Sequence, residues 1–311
     1  AIDVSSHVPA YIPKNITRVS GNTTYDSLFL VNNSRYVYVY KYIMQNGQEL
    51  QQSWSKWDFT EDSKIHCAEL IDNTIYFVMS VADKYLLLSR ANLKNNIVDI
   101  TGEPFRLFMD FKEQIKNVGT YNDYTGYTTI DLFSVVPWLN SANVDGINTY
   151  GWVLVDNNGK VYDFDGDTHK AVLSGDFTKS SFFLGRTITS KYTLSTIKIK
   201  SSTTSGTVIS ENEGRLQIRY FWINYTDSGV FSVTVKDVGR KQEYTYKCTA
   251  KILSKYDHIL GINQLHSGKF KFPVQRNTDD VTITIWDDSP QPLTLVSGGW
   301  EGLYVRRNRK L

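Results

Sequence analysis

Apolar and polar positions alternate with a period of two along most of the chain, the spacing of half-buried strands, and helical spacing is scarce. Arg35 to Tyr42 is β-branched and aromatic nearly throughout. It runs into the turn pair Asn46-Gly47 and emerges in a polar-aromatic run ending Ser53-Trp54-Ser55-Lys56-Trp57, which predicts a hairpin. Ile65 to Leu70, Thr74 to Val81 and Tyr85 to Arg90, separated by turns at Asp72-Asn73 and Ala82-Asp83, predict a strand meander. Short strands joined by such turns belong to a sandwich, a barrel or a propeller blade. Residues 91–128 carry the one plausible helix, around Phe108 to Lys116, and read as a connecting excursion from a sheet. Tyr150 to Val155 and Lys160 to Phe164, joined through Asp156-Asn157-Asn158-Gly159, predict a further hairpin.

From Ser181 the alternation becomes longer and cleaner. Strands are predicted over Tyr192 to Lys200, Gly214 to Trp222, Val230 to Val235, Tyr244 to Lys251, Gly268 to Val274 and Val281 to Trp286, with a last run from Leu293. Repeated alternating strands with Gly or Pro turns predict a β-sandwich. Linker-like residues near 175–182 place a boundary there, giving strand blades over 1–178 and a sandwich over 179–311. Trp222 and Trp300 each belong to such a run and are expected to be largely buried.

Composition sharpens the all-β reading. Tyr 20, Phe 15 and Trp 7 stand against 3 Met in 311 residues, a balance that suits pleated surfaces. No apolar run approaches the ~18–20 residues of a membrane-spanning helix. The net charge of +2 makes the molecule as a whole no electrostatic glove for nucleic acid, so any such role must be local. Cys67 and Cys248 are too few and too far apart for a disulfide scaffold, and both are expected to be reduced. The start Ala1-Ile2-Asp3-Val4 shows no signal-peptide pattern and no initiator Met, which suggests a processed chain or a fragment.

Candidate chemistry is thin. Asp163, Asp165 and Asp167 around Gly166 resemble a calcium loop, but the positions that need Gly and a bidentate Glu hold Thr168 and Ser174, so an Asp-rich turn is the better reading. Asp279-Asp280 and Asp287-Asp288 invite a glycosidase reading. Neighbours on a strand point to opposite faces, so neither pair can flank one bond. His7, His66, His169, His258 and His266 show no metal spacing, and no nucleophile elbow, P-loop or dinucleotide fingerprint is present, so no cofactor is expected. The most charged point is Arg306-Arg307-Asn308-Arg309-Lys310, four cations in five residues. It could contact DNA phosphates, anchor an intersubunit contact or be a solvated tail.

A resemblance goes further than these patterns. His7-Val8-Pro9-Ala10-Tyr11-Ile12-Pro13-Lys14, Tyr42, Gln52 to Trp57, Gly214 to Tyr220 and Asn224 to Gly229 look like the tail tubular protein B family, the nozzle of T7-like short-tailed bacteriophages. So do Phe270 to Val274, Asp288-Ser289-Pro290 with Pro292-Leu293, and Gly299 to Arg307. Family members are much longer, so the chain is similar to their C-terminal part. The resemblance implies a homo-oligomeric tube, as a hexamer, with a propeller-like N-terminal portion. It also implies an adaptor partner like tail tubular protein A, docking of tail fibres, and a conduit that gates double-stranded DNA and contacts it transiently in ejection. Asn117 to Thr129 and Ser201 to Asn212 are the candidate gating loops. Arg306, Arg307, Arg309 and Lys310 are assigned to the assembly or fibre interface, because fixed guanidinium groups suit specific carboxylates better than passing DNA. A capsule polysaccharide-binding or polysaccharide-degrading tail protein is the alternative.

Overall fold

A computed structural model describes residues 3–6, 8, 10–23, 25–45, 48–59, 63–81, 83, 85–93, 98–136, 139, 151–202, 208–210, 214–249 and 263–306. These residues are overwhelmingly β, as the alternation predicts, and among them no helix is long and apolar enough to cross a membrane. Contacts divide the chain into two units. One takes Ala1–Asn96, Asn117–Tyr150 and Phe164–Lys179, and the other takes Ile97–Lys116, Gly151–Asp163 and Ser180–Leu311.

In the first unit β1 (Arg18–Asn22), β2 (Ser27–Val31), β3 (Tyr36–Gln45) and β4 (Gln48–Asp58) form an antiparallel sheet in chain order. β3 and β4 pair as the expected hairpin, Gln45 opposite Gln48, and the turn residues Asn46-Gly47 lie outside the described residues. β5 (Ser63–Ile71), β6 (Thr74–Val81) and β7 (Tyr85–Asn92) form the expected meander, a three-stranded sheet among the described residues. Strict alternation in β6 buries Ile75, Phe77, Met79 and Val81, and burying each such side chain contributes about 1.5–3 kcal/mol. Trp57 ties the sheets together, its ring meeting Phe29 at 5.6 Å and Phe77 at 6.2 Å between centroids.

Residues 108–116, expected as a helix, contain strand β8 (Met109–Lys116) of the second unit. Pairing with an apolar neighbour overrides the local preference, and Phe111, at φ 54, sits in a bulge that breaks the period of two. The first unit adds β9 (Thr120–Asn122), β10 (Tyr127–Asp131) and the short helix α1 (Leu132–Val135). The candidate loop 117–129 is therefore largely a β9–β10 hairpin. Its tip is held by Asn122 Oδ1, which accepts from the amides of Tyr124 at 2.9 Å and Thr125 at 3.3 Å.

β11 (Trp152–Asp156) and β12 (Val161–Asp163) make the expected second hairpin. β13 (Lys170–Ser174) pairs with β10, and β14 (Ser181–Thr187) lies between β11 and β8. The single strand expected over 192–200 is instead β15 (Ser190–Thr193) and β16 (Lys200–Ser202), with irregular backbone between them. β17 (Val208–Ser210) pairs with β16, so the second candidate gating loop, 201–212, carries a small hairpin, with 203–207 and 211–213 outside the described residues.

The rest of the second unit is built from β18 (Gly214–Ser228), β19 (Phe231–Asp237), β20 (Gln242–Cys248), β21 (His266–Asn277), β22 (Val281–Asp287) and β23 (Thr294–Arg306). One sheet runs β15-β22-β19-β20 and another β21-β18-β23. A single buried cluster draws on both, including Ile218, Phe221 and Ile223 from the second and Val233, Val235, Ile283 and Ile285 from the first. Both cysteines are free thiols, Cys67 half-buried and Cys248 buried.

Candidate assembly surface

Strand β18 presents two chemically different faces. Ile218 and Phe221 both point into the core although they are three residues apart, because a register shift between Ile218 and Tyr220 inserts an extra residue. The same shift puts Tyr220 and Trp222 on the outer face. Trp222 is half-buried there and not largely buried, because it lies on the face of β18 away from the core. Gly299 lets its ring lie across the neighbouring strand, where an added Cβ would stand 2.4 Å from the indole. Lys269 Nζ sits 4.4 Å from the Trp222 ring centroid, and Lys271 Nζ sits 4.4 Å from that of Tyr220 while pairing with Glu301 at 3.3 Å. Trp300 is also half-buried, packed against the core from the β23 side. Along β23 the exposed residues include Val296, Leu303 and Val305, and the strand ends at Arg306, paired with Gly214.

The same unit contains a cavity of about 370 Å³. Its walls include Phe108, Ile188, Tyr192, Ile285, Leu293 and Leu295, with Asp287 and Lys191 also lining it. Alternation in β22 explains the carboxylate: Ile283, Ile285 and Asp287 share the buried side, and Asp287 is only 6% exposed. Its Oδ1 accepts from the Ser289 amide at 2.9 Å, which opens the turn through Pro290. The Pro290 carbonyl accepts from the Phe108 amide at 2.9 Å and so fixes that side chain at the cavity. Burial is the largest influence on Asp287 and pushes its carboxyl up to about 6 against the hydrogen bonds from Ser289. Asp288 is exposed.

Other residues singled out in the sequence have structural roles. Asp165 Oδ1 accepts from the amides of Thr168 at 2.7 Å and Asp167 at 3.1 Å and from the Thr168 hydroxyl at 2.9 Å, which holds its carboxyl below the usual range. Asp279 pairs with Lys198 at 2.9 Å, and the Asp280 carbonyl accepts from the Val238 amide. No group of three possible metal ligands occurs among the described residues. His66 Nε2 lies 2.8 Å from the Ser80 hydroxyl, His169 packs edge-on to Phe133, and His266 is buried. His7 and His258 lie outside the described residues, as do Arg307, Arg309 and Lys310, so of the basic cluster only the Arg306 backbone is placed. The structure brings none of the sequence-assigned residues together into a reacting constellation among the described residues. It does reveal the Asp287 cavity, whose only signal in the sequence is the two-residue spacing of Ile283, Ile285 and Asp287.

Comparison with known proteins places these surfaces in context. The family model described as bacteriophage nozzle protein matches residues 1–311. The chain is 31% identical over 317 aligned positions to the tail tubular protein gp12 of Escherichia phage T7, an alignment that covers 99% of this chain and 39% of that protein. The chain thus spans about two fifths of the length of that curated relative.

Proposed function

We propose, since this chain belongs to the bacteriophage nozzle protein family, that its two units are building blocks of a tubular assembly in the virion tail. It is a structural component of a bacteriophage tail. Copies of it associate into a ring, as a hexamer, that docks an adaptor like tail tubular protein A and the tail fibres and conducts DNA during ejection. The antiparallel meanders of the first unit, within 1–178, are its propeller-like blades. The two sheets of 179–311 that share one buried cluster are its sandwich. A closed ring of identical subunits needs two different complementary patches on each copy.

The observation that carries this reading, beyond family membership, is the amount of large apolar surface left open on regular strands. Leu86 and Leu88 of β7 are 72% and 74% exposed, and Val296, Leu303 and Val305 line β23, an edge strand among the described residues. Edge strands with apolar outward residues invite pairing, and an assembly covers them. The near-zero net charge suits a conduit, because each phosphate contact retards passage. The β9–β10 tip, where Tyr124 is fully exposed, and the β16–β17 hairpin are the segments that narrow the channel. A polysaccharide site would need open aromatic platforms, whereas Trp222 and Tyr220 each carry a lysine ammonium on their rings. Native mass measurement of the purified chain tests the reading. A ring of several copies is expected, and a strictly monomeric chain that binds capsule glycan saturably would overturn it.

A further inference from the structure

The cavity at Asp287 has apolar walls and a buried carboxylate that takes part in no ion pair among the described residues. Such a site suits a long side chain with an aliphatic stem and a cationic head, since the stem removes apolar wall from water and the head meets the carboxylate. This chain itself carries that chemistry in the segment Arg306 to Lys310. We propose that the Asp287 cavity is the socket for the basic segment Arg306 to Lys310 of a second copy of the chain, joining subunits head to tail. The proposal rests on the ring-assembly reading above and deepens it by naming the two patches.

Geometry excludes the chain's own segment as the occupant. Leu295 lines the cavity at the start of β23, and Arg306 ends that strand. Eleven strand steps at about 3.3 Å separate them by roughly 35 Å. Lys310 lies four residues beyond Arg306 and can reach at most about 14 Å further, even fully extended. The basic segment therefore cannot return to its own cavity, and only another molecule can supply it. A contact between one end of a subunit and a different patch on the next is heterologous, the type that closes into rings. Among the described residues the other titratable or charged groups at the socket are Lys191 and Tyr192 from β15 and Asp288 beside Asp287. Because the Asp287 carboxyl is pushed up to about 6, the pairing weakens as it becomes protonated below that pH.

Complementation between two variants tests the pairing. The tail variant carries Arg306→Ala, Arg307→Ala, Arg309→Ala and Lys310→Ala, and the socket variant carries Leu293→Trp to fill the cavity. Native mass spectrometry is expected to show multi-subunit assemblies for the wild type and monomers for each variant. An equal mixture should give one-to-one dimers that do not grow, since one intact tail meets one intact socket. A second measurement is independent of whether the isolated chain assembles. A fluorescent peptide spanning Leu303 to Leu311 is titrated onto the tail variant, with and without Asp287→Asn. Affinity should fall roughly tenfold or more in the Asn variant, the loss of one charge-assisted contact, and should be weaker at pH 5 than at pH 7.5. A wild-type chain that stays monomeric yet binds the peptide would reject ring assembly by this chain alone and keep the socket. Assemblies unchanged in both variants, or peptide binding indifferent to Asp287, would overturn the socket and leave the ring reading standing.

Discussion

Two carboxylates buried in the second unit have opposite electrostatic surroundings. Glu103, whose side chain is fully buried, pairs with Lys112 at 2.7 Å, and Lys112 also reaches Asp99 at 3.0 Å, with Arg106 adding a contact to Asp99 at 3.2 Å. Asp287 is nearly as buried and accepts from the Ser289 amide, and it has no ion pair among the described residues. In the first arrangement each carboxylate meets a cation from the same stretch of chain. The second leaves a buried charge with no cation among the described residues, and under the socket proposal that difference separates a folding device from a docking one. The sharpest way to break the contrast is Lys112→Met. It would strand the buried Glu103 charge, and urea unfolding is expected to show a loss of about 3–5 kcal/mol, typical of removing one partner of a buried pair.

At Asp287 the sign of the charge effect reverses. The ordinary carboxyl value is 3.8 and the folded-state value is about 6, so between them the folded state holds the proton more tightly than the unfolded state. Stability is therefore expected to rise as pH falls from about 6 toward 4, and the full penalty, about 3 kcal/mol for a shift of this size, is present above pH 6. Asp287→Asn keeps an acceptor for the Ser289 amide and removes the charge. It should raise stability at pH 7.5 by up to about 3 kcal/mol and flatten this part of the pH profile, measured by thermal or urea unfolding. A loss of stability in that variant would mean that the carboxylate already has a partner within the chain. Asp110 provides a companion measurement: burial pushes it up to about 6 as well, even though the nearby Arg186 charge pulls it down. Carbon-detected NMR titration should find both aspartates titrating near pH 6.

Sequence patterns expose the elements that keep a period of two over most of their length, and a bulge misleads them at β8 and at Trp222. β6 and β22 are legible from Ile75, Phe77, Met79 and Val81, or from Ile283 and Ile285, because each apolar residue returns to the same face. β8 was not legible. Its charges at Asp110, Lys112, Glu113 and Lys116 resemble a helix surface, and Phe111 in the left-handed region shifts the alternation halfway along. Trp222, expected to be largely buried, is half-buried for the same physical reason, since the shift at Ile218 to Tyr220 turns the aromatic pair outward. The Asp287 cavity depends on Phe108, β15 and the Pro290 turn converging from distant parts of the chain. No local pattern encodes such convergence, although the place of Asp287 on the buried side of β22 was readable.

The outer face of β18 supplies the weakest member of the comparison, cations satisfied by aromatic rings at the surface. Lys269 stands over Trp222 at 4.4 Å from the ring centroid, and water remains free to solvate the rest of the ammonium. Little desolvation has to be offset, so the contact is worth about 0.5–1 kcal/mol. A double-mutant cycle with Lys269→Met and Trp222→Leu should return a coupling energy of that size. The paired Lys112 and Glu103 should couple several times more strongly in the same kind of cycle, because neither charge has water to fall back on. Salt separates the two pairs further: 1 M NaCl should remove much of any long-range charge contribution at the exposed face and leave the Lys112 network nearly unchanged. Equal coupling at both sites would mean that Lys269 is desolvated by something covering this face, and analytical ultracentrifugation over a concentration series would then show whether the cover is another copy of the chain.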